Sequence, residues 1–202
     1  MSITAADVKA LRDRTGAAMM DCKAALSESE GDVDRAIEIL RVKGQASAAK
    51  REGRGTSEGV VASYIHANDK VGAMVEVQCE TDFVARNEDF KAFAYEVALH
   101  VAATAPKFVT ADEIPAEERE AEKRVFEEKA REDGKPDNVV EKIVEGQLAK
   151  WAKEVALLDQ AHVNADKHDS KSIEELRQEL AAKTGENIRV ARFAYFRVGE
   201  GD

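Results

Sequence analysis

Helical periodicity dominates the first 44 residues of the chain. The apolar positions that define it are Val8, Leu11, Met19, Leu26, Val33, Ala36, Ile37 and Leu40. Thr4 and Asp7 have the spacing of a capping box, Gly16 is a typical helix stop, and Asp32 is a typical N-cap for the last four of these positions. Gly44 is expected to end that helix. The pattern predicts a compact module of three short helices.

A segment without apolar periodicity follows, and the period then changes from 3.6 to 2. Residues 45–59 are rich in Gly, Ser and basic side chains, which is typical of a linker, either irregular throughout or starting with helical turns. Val60–His66 and Val71–Cys79 are rich in β-formers and flank a short polar turn, so they predict a β-hairpin. We therefore expect three parts: a module over 1–44, a linker over 45–59 and a core domain over 60–202.

The core domain continues with helices and closes with a strand. A firm helical stripe begins three residues after Asn87 and consists of Phe90, Phe93, Ala94, Val97, Ala98 and Val101. Glu117–Asp133 is mostly charged and, with the helix that returns through Val155, predicts a helical hairpin arm. Ser172 opens a shorter helix, and Asn187–Val198 predicts a last strand. The predicted fold class is α+β: the three-helix module, then a small antiparallel sheet packed with helices, including this charged hairpin.

Charge is unevenly distributed along the chain, whose formal net charge is −10 at pH 7. Residues 1–54 carry ten basic and nine acidic side chains, whereas the remaining 148 residues carry 20 basic and 31 acidic ones. Binding to a phosphate backbone needs clustered Lys and Arg, so the acidic body disfavours nucleic acid as the main partner. Lys50, Arg51 and Arg54 are expected to form a solvated tether.

Compartment is indicated by what the sequence lacks. No apolar run approaches the roughly 20 residues that span a bilayer, and the first residues lack the pattern of a secretory signal. Cys22 and Cys79 are too few for a disulfide framework or a zinc site and are expected to be buried thiols. The sequence predicts a cytoplasmic protein that does not bind membranes.

Motifs of the common enzyme classes are absent from the sequence, including the phosphate loop, the dinucleotide fingerprint and the zinc protease motif. The histidines, His66, His100, His162 and His168, are scattered, and no carboxylate pattern frames them as metal ligands. We predict a protein that is not an enzyme and that has no cofactor or metal. His66, at the tip of the hairpin, is the histidine best placed to meet a partner.

The junction after the second strand, Cys79-Glu-Thr-Asp-Phe-Val-Ala-Arg, places a bulky ring beside a carboxylate. Phe83 lies seven residues before Phe90, so it can join the same apolar stripe while Asp82 caps a helical turn. Alternatively, Phe83 is displayed on the surface for insertion into a partner's pocket. Spacing alone leaves both interpretations open.

Two stretches resemble signatures of the bacterial elongation factor Ts family. Residues 8–26, VKALRDRTGAAMMDCKAAL, are similar to the family's N-terminal signature. Residues 81–84, Thr-Asp-Phe-Val, look like its second hallmark and follow a hairpin, as that hallmark does. Further likeness lies in residues 142–146 and 196–201. The likeness runs the full length of the chain in one order.

This resemblance implies guanine-nucleotide exchange on elongation factor Tu, the GTPase that carries aminoacyl-tRNA to the ribosome. The N-terminal module would resemble a ubiquitin-associated fold and dock on the GTPase through Arg12, Met19, Met20 and Lys23. An exchange loop of Thr81, Asp82, Phe83 and Val84 would enter near the magnesium and phosphate site, with Phe83 as a wedge and Asp82 disturbing the ligands of the metal. His66 matches a family histidine that approaches the partner.

The chain resembles the short form of the family, with one copy of the core subdomain, and such forms resemble homodimers. Aromatic side chains on both faces of the last strand agree with a sheet whose second face is covered by a helix or another subunit. The alternative function is a nucleic-acid-binding adaptor, in which the N-terminal helices act as a helix-turn-helix together with the basic linker.

Overall fold

The computed structural model describes residues 3–200 and has the predicted α+β architecture. Its strands, β1 (Glu58–Ile65), β2 (Val71–Cys79) and β3 (Arg189–Arg197), form one antiparallel sheet in that order. Its helices are α1 (Ala5–Thr15), α2 (Met19–Glu28), α3 (Val33–Ala49), α4 (Asp82–Ala85), α5 (Glu88–Thr104), α6 (Ala116–Glu132), α7 (Asp137–Val155), α8 (Ala165–His168) and α9 (Ile173–Thr184).

Cap residues set the ends of the first three helices. The Thr4 N–H donates to the Asp7 carboxylate at 2.9 Å, and the Thr4 hydroxyl accepts the Asp7 N–H, which is the predicted capping box. Gly16 ends α1 in the left-handed region, at φ 68°. The Asp32 carboxylate accepts two backbone N–H groups of α3, both at 3.0 Å. The buried residues of the module are Val8, Leu11, Cys22, Ala25, Leu26, Ala36 and Leu40.

One predicted helix end in this module is wrong. α3 does not stop at Gly44 but continues to Ala49, into the segment predicted as a linker. A Cβ built on Gly44 would lie 3.3 Å from the Cβ of Ala182, so the glycine lets α9 approach α3 closely. Ala48, which is 2% exposed, gives the extra turns a buried contact that outweighs the weak helix propensity of glycine. The domain boundaries 1–44, 45–59 and 60–202 stay a prediction.

The sheet and α5 follow the predicted patterns. In β2, Ala73, Val75, Val77 and Cys79 are buried, whereas Met74 is exposed. Asn87 caps the start of α5, because its carboxamide oxygen accepts the Asp89 N–H at 2.8 Å. The predicted stripe is buried throughout: Phe90, Phe93, Ala94, Val97, Ala98 and Val101. Both cysteines are buried free thiols, as expected.

The predicted helical hairpin consists of α6 and α7. A small apolar cluster of Ala130, Val140 and Val144 is buried between these helices, with Phe126 and Leu148 packed against it. Gly134 makes the turn between them at φ 69°. Most other residues of α6 are charged, so a short apolar patch holds the hairpin together.

Two compact units make up the chain. The first comprises Met1–Ala62, Glu76–Ala94 and Glu175–Val190, and the second comprises Ser63–Val75, Tyr95–Glu174 and Ala191–Asp202. The first unit therefore contains the three-helix module and the junction around Phe83, and the second contains the hairpin tip and the helical hairpin. Across residues 3–200, none of the helices combines the length and apolar content needed to cross a membrane.

Candidate functional site

Phe83 is presented to solvent by a single helical turn. α4 begins directly after Thr81, whose hydroxyl accepts the Val84 N–H at 3.4 Å. The Phe83 side chain is 81% exposed, whereas Phe90 is fully buried. The interpretation that Phe83 joins the α5 stripe is wrong, because the helix breaks between the two residues. The expectation that Asp82 caps the turn is also wrong, since Thr81 is the N-cap.

Asp82 offers a carboxylate beside this ring. Its side chain is 45% exposed and pairs with Arg86, with 3.1 Å between Oδ2 and Nη2. An exposed ion pair at this helical spacing contributes only about 0.3–0.5 kcal/mol. Asp82 can therefore leave Arg86 for a cation or a donor on a partner at little cost.

The base of α4 is fastened by Glu186, which the sequence did not single out. Its Oε2 accepts the N–H groups of Glu80 at 3.0 Å and Thr81 at 3.1 Å, and its Oε1 accepts the Thr81 hydroxyl at 2.5 Å. The Cys79 thiol donates to the Thr81 carbonyl at 3.2 Å. Burial, with the Glu186 carboxylate adding to it, raises the pKa of Cys79 to about 11, so the thiol keeps its hydrogen for this bond.

Residues of the predicted linker join the same polar network. The Asn187 carboxamide donates to the Glu52 carbonyl at 3.3 Å and to the Arg54 carbonyl at 2.9 Å. The buried Arg177 guanidinium donates to the Glu52 carboxylate at 3.3 Å, and Arg54 lies 3.4 Å from the Glu80 carboxylate. The Arg54 side chain is 54% exposed, as expected for a solvated tether, and its contact with Glu80 adds a weak surface ion pair.

The predicted docking residues of the module share the surface of α1 and α2. Met19 is 43% and Met20 is 72% exposed, and the side chains of Arg12 and Lys23 are also exposed. Met19 and Lys23 lie one turn apart and so on one face of α2. The structure thus presents all four side chains to solvent, and their role in docking stays a prediction.

His66 is exposed at the hairpin tip, as expected. Its Nδ1 lies 3.2 Å from the Tyr64 hydroxyl, and Tyr64 packs edge-on against Tyr95 with 6.0 Å between ring centroids. Both Tyr64 and His66 line an open cavity of about 580 Å³, which Leu99 and Tyr195 also line. His66 belongs to the second unit, whereas the other eight predicted site residues belong to the first.

Three histidines that are scattered along the sequence come together in the second unit. The His100 and His162 rings stack with 5.4 Å between centroids, and the His162 and His168 centroids are 4.2 Å apart. The Glu96 carboxylate lies 3.4 Å from Nε2 of His162 and of His168. Sequence reasoning missed this cluster because its members come from α5, α8 and the loop before α8.

Hydrogen bonds define which nitrogen carries the hydrogen in the two buried rings of this cluster, His100 and His162. Nδ1 of His100 accepts the Val163 N–H and Nδ1 of His162 accepts the Asn164 N–H, both at 3.0 Å. A backbone N–H can only donate, so each neutral ring must carry its hydrogen on Nε2. His100 donates that hydrogen to Gln160 at 2.8 Å. Metal binding would require a lone pair at the same atom, so these rings are arranged as hydrogen-bond donors.

Known proteins match this chain over most of its length. A family model described as Elongation factor TS matches residues 5–169. The chain is 51% identical over 201 residues to elongation factor Ts of Geobacter sulfurreducens, covering 100% of this chain and 92% of that protein. It is 52% identical over 199 residues to elongation factor Ts of Syntrophomonas wolfei, covering 98% of this chain and 92% of that protein. The counterpart in Acetivibrio thermocellus is 49% identical over 199 residues, which cover 98% of this chain and 91% of that protein.

Proposed function

The chain belongs to the elongation factor Ts family, and from this membership we propose that it releases GDP from elongation factor Tu by inserting the Asp82–Phe83 turn. Membership itself implies nucleotide exchange with elongation factor Tu as the partner. The observation that supports the turn as the active element is the 81% exposure of the Phe83 ring. A large apolar ring on a short fastened turn is suited to fill a pocket on a partner.

The mechanism is differential binding. A GTPase holds GDP through a bound Mg²⁺ and through backbone N–H groups that cradle the phosphates. Phe83 wedges into the GTPase beside this site, and the Asp82 carboxylate disfavours the arrangement of metal ligands. Because the factor binds the distorted, nucleotide-free GTPase better than the GDP form, it lowers GDP affinity by that difference in free energy. No covalent bond changes, so the chain acts as an exchange factor and not as an enzyme.

Docking and insertion are assigned to different surfaces. Arg12, Met19, Met20 and Lys23 supply affinity, since flexible methionine side chains fit irregular apolar surfaces and the basic groups add charge complementarity. His66 adds a contact from the core hairpin. The complex forms in the cytoplasm, and the net charge of −10 disfavours direct contact with nucleic acid.

The bare face of the sheet is proposed as a homodimer interface. Ile65, Met74 and Phe196 are 63%, 48% and 65% exposed. On the opposite face of β2, Ala73 and Val75 are buried within the chain. An apolar sheet face that the chain leaves bare is a typical subunit contact, and a second copy offers a matching apolar face through two-fold symmetry.

Strand register places these three side chains on one face. The Val198 N–H donates to the Lys70 carbonyl at 2.9 Å, which sets Phe196 opposite Gly72. A Cβ on Gly72 would lie 2.6 Å from Cδ1 of Ile65, so the Ile65 side chain covers the glycine. Met74 follows Gly72 by two residues and points the same way.

Replacing Phe83 with Ala tests the insertion. We expect the chain to accelerate release of a fluorescent GDP analogue from purified elongation factor Tu, and Phe83→Ala to reduce that acceleration at least about tenfold, as for a central interface residue. Its free energy of unfolding should change by less than about 1 kcal/mol, because the ring is exposed.

Val125→Ala is the matched control, because Val125 is an apolar residue 55% exposed on α6. It should leave exchange unchanged. Full activity of Phe83→Ala, or its unfolding, would contradict the assignment of the ring as a wedge.

A further inference from the structure

We infer that Glu186 is a positioning residue for nucleotide exchange, because its carboxylate fixes the backbone from which the Asp82–Phe83 turn projects. The inference rests on the proposed function of that turn. Glu186 lies just beyond the end of α9 and matches none of the motifs that the sequence offered.

Glu186 controls three polar groups ahead of the turn. Oε2 accepts the N–H groups of Glu80 and Thr81 at 3.0 and 3.1 Å, and Oε1 accepts the Thr81 hydroxyl at 2.5 Å. Because that hydroxyl gives its hydrogen to Glu186, its lone pairs remain for the Val84 N–H, 3.4 Å away. The carboxylate therefore sets both the path of the chain into α4 and the side chain that caps α4.

Packing orients the turn only in part. Phe83 is 81% exposed, so packing does not hold its ring, and the half-buried Asp82 makes only a weak ion pair with Arg86. Within α4, Ala85 is buried and Val84 is half-buried, so packing anchors the end of the turn that follows Phe83. One helical turn is unstable in isolation. The direction of the Phe83 ring therefore depends on the backbone at Thr81, which lies on the side of the ring that packing does not anchor.

The hydrogen-bonded contact between residues 80–81 and 186–187, called the clasp below, is reciprocal, which makes it rigid. Gly185 ends α9 at φ 76°, and its N–H donates to the Ala181 carbonyl at 2.9 Å. The next two residues then face the strand end, where the Asn187 N–H donates to the Glu80 carboxylate at 2.6 Å. Residues 80–81 and 186–187 thus exchange hydrogen bonds in both directions. Functional side chains need support that fixes them to about 0.5 Å.

Exchange kinetics of Glu186→Ala with purified elongation factor Tu test this role. We expect the maximal rate of GDP release to fall about tenfold, because misplacement by an ångström can cost as much as about a hundredfold. The concentration of factor that gives half the maximal rate should stay within about twofold, because the docking residues of the module are untouched. Glu186→Gln keeps an oxygen acceptor and should recover part of the rate. Glu58→Gln, which removes an exposed carboxylate at the start of β1, should behave as wild type.

Amide hydrogen exchange gives a readout that does not need the partner. In Glu186→Ala the N–H groups of Glu80, Thr81 and Val84 should exchange faster, while those of the α5 stripe stay protected. Thr81→Val should lower the maximal rate as well. The variant that combines Glu186→Ala with Thr81→Val should have a maximal rate within about twofold of that of Glu186→Ala alone, because both changes break the same clasp.

The outcomes separate the inference from the proposed function. If the wild-type chain does not accelerate GDP release, the proposed function fails, and unchanged amide exchange in Glu186→Ala would then reject the clasp as well. If the wild type is active, a wild-type maximal rate in Glu186→Ala, or additive losses in the double variant, overturns the inference. Should Glu186→Ala fail to fold, Glu186→Gln carries the same comparison, and a rate equal to wild type with unchanged amide exchange rejects the role.

Discussion

At the scale of single residues, His100 and His162 hold the segment that follows α7 by accepting its backbone N–H groups. His100 accepts from Val163, and His162 accepts from Asn164. Protonation of either ring would place a hydrogen on Nδ1, facing a backbone N–H that also carries one. Burial lowers the pKa of both side chains below the ordinary value, most strongly for His100. The neutral rings are therefore part of the fold.

Stability is accordingly expected to fall as the solution is acidified. The pKa of His100 is about 4 in the folded chain, against an ordinary value of 6.5. Between these values the unfolded chain binds more protons than the folded one, so the free energy of unfolding decreases with decreasing pH. His100 alone should lower the free energy of unfolding by an amount on the order of 3 kcal/mol once the pH reaches about 4. Urea unfolding across this pH range measures the loss.

A matched pair of variants isolates this effect. His100→Asn keeps an acceptor for the Val163 N–H but does not titrate, so its pH dependence should be flatter. His66→Asn, at an exposed position, should leave the pH dependence of the free energy of unfolding unchanged. Burial raises the pKa of Glu96, but hydrogen bonds from Lys167 and His168 outweigh that effect and lower it below 4.5, so its own contribution is lost only in stronger acid. A constant free energy of unfolding from about pH 6.5 to 4.5 would refute the role of the histidines.

At the scale of elements, the hairpin of α6 and α7 shows that a small apolar surface is enough to pack a charged helix against its neighbour. Most of α6 is exposed, and the buried apolar residues between it and α7 form the small cluster around Ala130 and Val144. Charged side chains with long apolar stems cover part of the remaining surface. The stability of this hairpin should therefore depend on few positions.

Val144→Ala is expected to destabilise the hairpin by about 2 kcal/mol, because it removes two buried methyl groups and leaves a cavity. Val144 is 2% exposed, whereas Val125 is 55% exposed on α6. Val125→Ala should thus stay within about 0.5 kcal/mol of the wild type. Amide exchange over α6 and α7 reports the difference. Equal protection in the two variants would mean that the cluster does not hold the hairpin.

At the scale of the whole molecule, the proposed dimer depends on the bare sheet face. Phe196→Glu should dissociate it, since a charge buried between two apolar faces has no partner there. Sedimentation equilibrium at micromolar concentration measures the mass, and Val125→Glu is the control at an exposed apolar position on α6. Because each chain carries a net charge of −10, added salt should strengthen association by screening repulsion. A monomeric wild type, or a dimeric Phe196→Glu, rejects the interface.

The site shows where prediction from sequence stops. The resemblance named Asp82 and Phe83, yet spacing alone allowed Phe83 to join the stripe that contains Phe90. The structure exposes the ring because Thr81 caps α4 and the helix breaks before α5 begins. Whether the helix breaks here depends on the relative strength of two N-caps a few residues apart, Thr81 and Asn87. Hydrophobic periodicity does not predict which cap is the stronger.

Sequence by itself determined the features that short-range bonds create. The Thr4 capping box, the Asp32 cap and the buried stripe of α5 each depend on residues a few positions apart, so local propensity and period were sufficient. Tertiary structure alone decided that α3 passes through Gly44, that Glu186 clasps Thr81, and that His100 meets His162. Each of these contacts joins residues far apart in sequence, and their free energy exists only after the elements have packed.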